Sequence, residues 1–144
     1  KIAVCNIYLA AESRERKNVK DWNERLLRVL KREVEILKMQ EFKIVLMGEF
    51  NGHCGRTGRR MMMNRKEINS NGREILKLLN ERGLWIGNEE QIDGEVFTRY
   101  FYSKEGRLLS KAVLDLAVIG EEIERSRIRF RKVEEADEYI ETER

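Results

Sequence analysis

Apolar residues recur along this chain with two different periods, and the switches between them divide it into elements. Ile2 to Leu9 is apolar and β-prone, which reads as a buried strand. From Asn18 to Met39 the period changes. Trp22, Leu26, Val29, Leu30, Val34 and Leu37 fall at helical spacing with charges between them, predicting a long amphipathic helix. Lys43 to Met47 forms a second short apolar strand that runs into Gly48-Glu49-Phe50-Asn51-Gly52. The opening pattern is therefore strand, helix, strand.

His53 to Asn69 has no periodicity and carries a dense basic set, Arg56, Arg59, Arg60, Arg65 and Lys66, which predicts a surface loop. Asn71-Gly72 then opens a helix bearing Ile75, Leu76, Leu78 and Leu79, with Gly83 placed to cap its C-terminus. Leu84 to Gly87, Glu95 to Tyr102 and Lys111 to Ile119 are further strand candidates, the last two flanking a turn at Lys104-Glu105-Gly106. Arg125 to Arg131 alternates strictly, arginines on one face and Ser126, Ile128 and Phe130 on the other, which predicts a half-buried strand. Strands mixed with two helices point to an α/β or α+β layered fold, and residues 1–144 show no repeat or linker that would divide one domain into two.

Composition narrows this picture without changing it. At 144 residues and 41% hydrophobic the chain can bury a real core. Its 29 Lys and Arg nearly balance its 26 Asp and Glu, so net charge alone is weak evidence for an anionic partner. With only Cys5 and Cys54 and one histidine, neither a disulfide framework nor a zinc site is expected. A reducing, intracellular setting fits, nuclear or cytoplasmic. The apolar runs are far shorter than the roughly 20 residues that span a bilayer, so no membrane anchor is expected. Lys1-Ile2-Ala3-Val4 already reads as strand, without initiator Met or charged leader, so a start further upstream is expected.

The strongest local signal for chemistry is the carboxylate and carboxamide directly after a buried strand, Glu49 and Asn51. Side chains at such a strand end project into the crevice where sheet-based enzymes bind ligands, and together they can hold a water or a phosphate oxygen. The plainer alternative is a turn in which Asn51-Gly52 supplies backbone geometry and Glu49 is solvated. Asp115 is a lone carboxylate inside Ala112 to Ile119. Burying an unpaired charge costs several kcal/mol, so Asp115 is expected either to hold a structural partner or to sit where the strand meets a pocket.

These residues occur in an order that resembles a known family. Asn6-Ile7-Tyr8-Leu9-Ala10, a long helix, Ile44-Val45-Leu46-Met47-Gly48-Glu49-Phe50-Asn51-Gly52-His53, Asn69-Ser70-Asn71-Gly72-Arg73-Glu74-Ile75-Leu76, Asn88, Phe97-Thr98-Arg99 and Val113-Leu114-Asp115-Leu116-Ala117-Val118 resemble the landmarks of the endonuclease/exonuclease/phosphatase superfamily. The likeness is strongest to the apurinic-type endonuclease domains of non-LTR retrotransposons and covers nearly the whole chain, as the C-terminal part of such a domain. It implies a four-layer α/β/β/α sandwich of two mixed sheets, here incomplete at its N-terminus. It also implies hydrolysis of a DNA phosphodiester with Mg2+ or Mn2+.

By the same resemblance Tyr8 matches the active-site tyrosine, Asn51 the phosphate-contacting asparagine of a Gly-Asp-x-Asn motif, and Asp115 the aspartate that orients a catalytic histidine. Glu49 stands where the family has aspartate, about 1.5 Å longer in reach. Misplacement on the scale of 1 Å can cost about a hundredfold in rate. The family's closing Ser-Asp-His aligns with Thr142-Glu143-Arg144, and arginine cannot accept a proton at physiological pH. His53 reads as a loop residue. The family's principal glutamate and asparagine ligands fall upstream of Lys1, leaving Glu49, Asn51 and Glu143 as the implied metal set.

Arg56, Arg59, Arg60 and Arg99 are the expected contacts to a DNA backbone. The arginine face of 125–131 fits either that role or the protection of an edge strand. Two functions from different classes remain: a metal-dependent nuclease, or the same fold kept as a nucleic-acid-binding or protein-interaction module after loss of the histidine. A phosphatase of small signalling molecules shares the sandwich but fits the Asn69 to Leu76 and Phe97 to Arg99 landmarks less well. An incomplete sheet with apolar edges is also expected to self-associate.

Overall fold

A computed structural model describes residues 1–11, 18–55, 68–89 and 99–128. In chain order its elements are β1 (Ile2–Tyr8), α1 (Val19–Met39), β2 (Lys43–Glu49), α2 (Ser70–Arg82), β3 (Leu84–Ile86), β4 (Arg99–Tyr102), β5 (Leu108–Ala112) and β6 (Asp115–Gly120). Single 3-10 turns follow β3 at Gly87–Glu89 and β6 at Arg125–Arg127. Strands β1, β2, β6 and β3 form a four-stranded sheet in that spatial order, with β1 parallel to β2 and β6 antiparallel to both its neighbours. Strands β4 and β5 form a separate antiparallel pair. The fold is α+β, as the alternation of periods predicts.

Both helices pack on one face of the larger sheet. In α1 the buried stripe is Asn23, Leu27, Leu30 and Val34, whose apolar members meet Ile44 and Leu46 of β2 and Leu116 and Val118 of β6 in one core. The stripe expected from sequence is partly out of phase with this one. Trp22 and Val29, inward by their spacing, are 52% and 58% exposed, and a polar residue, Asn23, takes an inward position instead. Helix α2 begins with the Asn69 side chain accepting from Gly72 N and ends at Gly83 in the left-handed region (φ 57°), the cap its sequence predicts. The Lys38 ammonium at the end of α1 donates to Gly83 O and pairs with Glu122 at 2.6 Å, tying the last turns of the two helices to the turn after β6.

The opposite face of the sheet is divided. One cross-strand row holds Val4, Val45, Ile119 and Trp85. At its β3 end Trp85 and Ile119 are buried, with the Arg125 guanidinium 5.0 Å from the indole centroid, whereas Ile2, Val4 and Met47 toward the β1 end are exposed. Among the described residues strand β1 is an edge, and its seven residues include no charge and no proline. No helix among the described residues is long and apolar enough to cross a membrane.

Two elements differ from the sequence reading. The single strand expected over Lys111 to Ile119 is two, since β5 pairs with β4 and β6 joins the larger sheet. The break falls at Val113 and Leu114, which are buried where the chain passes from one sheet to the other, so no polar residue marks it. The strand expected from Arg125 begins instead as a 3-10 turn in which Arg125, Ser126 and Arg127 are all exposed, so that part of the arginine face does not form. Arg127 pairs with Glu124 at 2.9 Å. Residues 129–131 and 95–98 lie outside the described residues.

Candidate functional site

Strands β1 and β2 end together. Tyr8 is the register partner of Glu49, and Glu49 is in turn the partner of Asp115, the first residue of β6. Residues directly opposed across a sheet point to the same side, with Cβ atoms about 4.5–5.5 Å apart. The three side chains therefore stand in one row at the carboxyl ends of the two parallel strands. The row is on the face away from the helices, because Leu116 and Val118 point into the helical core and Asp115 and Ala117 alternate with them. Tyr8 is 58% exposed, Asp115 is exposed and Glu49 is half-buried.

Asp115 thus corrects the sequence reading in one respect. It is not enclosed in an apolar strand; it opens the strand and faces solvent at the sheet's end. Gly48 lets the row form. Its φ is 132°, and any Cβ at this position would overlap Ile7 O, so only glycine lets β1 run this close just before Glu49.

Asn51 follows in the left-handed region at φ 45°, a conformation asparagine tolerates better than most residues, and is buried. Its Nδ2 donates to Leu9 O at 2.8 Å and to Glu49 Oε1 at 2.9 Å. Both partners are acceptors, which fixes the amide orientation. In this arrangement Asn51 steadies the Glu49 carboxylate through Nδ2 and keeps Oδ1 as an acceptor. A phosphate oxygen would have to compete for donors already engaged.

The loops that carry Leu9 and Asn51 are held from below by further asparagines. Asn69 Nδ2 donates to Asn51 O at 2.9 Å while its Oδ1 accepts from His53 N and Gly72 N, both at 2.8 Å. On β6, Asn88 Nδ2 donates to Asp115 O at 3.1 Å and its Oδ1 accepts from Ala117 N, which fixes the start of that strand. In the sequence Asn69, Asn71 and Asn88 are visible only as landmarks. Asn23, on an otherwise apolar helix face, escapes sequence reasoning, although a polar residue four positions before Leu27 is an available signal.

Tyr8, Glu49, Asn51 and Asp115 are brought together. Glu143, and with it Thr142 and Arg144, lies outside the described residues, as do Arg56, Arg59 and Arg60. Arg99 is the first residue of β4. His53 sits in the loop after Asn51, where its backbone N–H anchors to Asn69. Among the described residues no group of three His, Cys, Asp or Glu side chains is arranged to enclose a metal ion. Two carboxylates and an amide oxygen at one strand end fit Mg2+ in the way it is commonly held, by one or two carboxylates with water and substrate phosphate completing the shell. They do not fit a closed protein cage. A groove between α1 and α2, lined by Glu24, Lys31, Lys77 and Glu81, lies on the helical side, away from the row, and its Lys31–Glu81 contact is an ion pair.

No family model and no curated protein matches the chain. Among solved structures, the endonuclease domain of TRAS1, a telomere-specific non-LTR retrotransposon, is similar at 19% identity and a TM-score of 0.47. The match covers 84% of this chain and 45% of that one, so the chain spans less than half the length of the structure it resembles.

Proposed function

We propose that this chain carries the core of a metal-dependent phosphodiesterase site acting on DNA. The observation that supports this most is the row of Tyr8, Glu49 and Asp115, with Glu49 steadied by Asn51. Glu49 and the Asn51 Oδ1 hold a divalent cation, Mg2+ or Mn2+, with Asp115 beside them and Glu143 added by resemblance. When bound, such an ion neutralises phosphate charge and helps align an attacking water. The Tyr8 hydroxyl, exposed at the end of the row, donates to a phosphate oxygen. Arg56, Arg59, Arg60 and Arg99 follow the DNA backbone, a contact whose affinity falls steeply with salt. A DNA partner sets the chain in the nucleus or cytoplasm. The uncharged β1 edge and its exposed apolar residues support self-association.

A second reading, binding of nucleic acid without cutting, is favoured by one feature: Arg144 stands where the family it resembles has its catalytic histidine. Nicking of supercoiled plasmid and of an abasic duplex in Mg2+ separates the two. Cutting that is lost in Asp115→Asn and Tyr8→Phe supports the phosphodiesterase. Intact DNA in the presence of folded chain, with retained salt-sensitive binding, supports the second reading.

A further inference from the structure

Three asparagines join the two helices to the loops that carry the candidate site. Asn23 of α1 is 1% exposed, and its side chain is fully used. Its Oδ1 accepts from Ala10 N at 3.1 Å, and its Nδ2 donates to Ala10 O at 2.8 Å and to Asn71 Oδ1 at 2.9 Å. Asn71, in the first turn of α2 and 2% exposed, passes the connection on. Its Nδ2 is shared among Ala10 O at 3.3 Å, Phe50 O at 3.3 Å and Asn51 O at 3.4 Å. From there Asn51 reaches Leu9 O and Glu49 Oε1. A continuous path of amides thus runs from the helix-packed core to a site carboxylate on the other side of the sheet.

A buried amide is costly unless every donor and acceptor is met, and an apolar residue at position 23 would extend the Leu27, Leu30, Val34 stripe but leave Ala10 N–H, Ala10 C=O and Asn71 Oδ1 without this partner. Asparagine there meets polar groups of the loop after β1 that an apolar side chain cannot. What it supplies is direction. Ala10 follows β1 in the loop that continues from Tyr8, and Phe50 and Asn51 follow β2 in the loop that continues from Glu49. The two asparagines thus grip both loops at once, beside Tyr8 and Glu49 and beside Asn51 in its left-handed conformation.

The geometry points to Asn23 and Asn71 as positioning residues for the site, acting through Asn51 on Glu49. This role rests on the reading of Glu49 and its neighbours as the phosphodiesterase site. Neither residue belongs to the row itself. Asn23→Leu removes three hydrogen bonds and keeps the side-chain size; Asn71→Ala cuts the link between helix and loop.

The test is NMR of side-chain amides in the full chain, with Leu30→Ala as a core variant that weakens the fold but leaves the amide path intact. In the parent, the Asn51 amide protons are expected as two distinct, slowly exchanging signals with Overhauser contacts to Leu9. In folded Asn23→Leu or Asn71→Ala those contacts are expected to disappear, and in Leu30→Ala to persist. Contacts unchanged in both asparagine variants overturn the proposal. Should neither variant fold, the parent spectrum decides, because rapidly exchanging Asn51 amide protons overturn it equally. Where the parent cuts DNA, Asn23→Leu is expected to lower kcat about a hundredfold with KM within about twofold. A parent that does not cut refutes the phosphodiesterase reading while the Asn51 contacts still decide the positioning role of Asn23 and Asn71.

Discussion

Asn51 combines a strained backbone with a side chain that holds two neighbours, and replacing it by glycine and by alanine separates the two effects. Either substitution removes the bonds to Leu9 O and to Glu49 Oε1. A neutral hydrogen bond contributes about 0.5–1.5 kcal/mol net and one to a charged group about 1.5–3. Glu49 is half-buried, so the lower ends apply and the loss is about 2 kcal/mol in both variants. Glycine adopts φ 45° freely, whereas alanine carries a further penalty of about 1 kcal/mol in the left-handed region. Asn51→Ala should therefore be the less stable by about 1 kcal/mol. With a urea m-value of about 2 kcal/mol/M, that separates the denaturation midpoints by about 0.5 M. Alanine equal to or better than glycine would refute the left-handed turn. Both variants within about 0.5 kcal/mol of the parent would refute the hydrogen bonds.

Gly48→Ala forces a Cβ into Ile7 O at a glycine-only φ, so it should cost at least about 3 kcal/mol, read as a large drop in the urea midpoint with the β1–β2 pairing disturbed in NMR. Acrylamide should quench Trp22 strongly and Trp85 weakly, so Trp22→Phe should leave a blue-shifted, poorly quenched emission; strong quenching in that variant contradicts the burial of Trp85. Light scattering should find association that rises with concentration and falls in Val4→Lys, which charges the exposed face beside the β1 edge, whereas a monodisperse monomer contradicts it.

Much of this architecture is legible in the sequence because local signals agree with it. The period of α1, the apolar β2 and the Gly83 cap each specify their element without help from distant residues. The row at the sheet's end is half legible. Glu49 directly after an apolar strand points to a strand terminus, but its pairing with Tyr8 and Asp115 is a matter of register between distant segments. Asp115 reads as enclosed because Val113 and Leu114 are buried at a junction between sheets, and an apolar junction looks like a continuous strand. Asn23 is legible only through its spacing from Leu27, for the opposite reason. Its partners, Ala10 and Asn71, lie 13 and 48 residues away, and an asparagine among charged residues on a helix looks solvated. The alternation at Arg125 to Arg131 predicts a strand whose first residues instead turn, with Arg125 placed over the Trp85 ring.

The most direct test of the site is paramagnetic broadening by Mn2+ in the full chain. Titration of sub-stoichiometric Mn2+ should broaden the resonances of Tyr8, Glu49, Asn51 and Asp115 first, competed by Mg2+ and lost in a Glu49→Gln, Asp115→Asn double variant. Broadening spread evenly over surface carboxylates, or centred elsewhere on the chain, would contradict the assignment of the row as a cation and phosphate site.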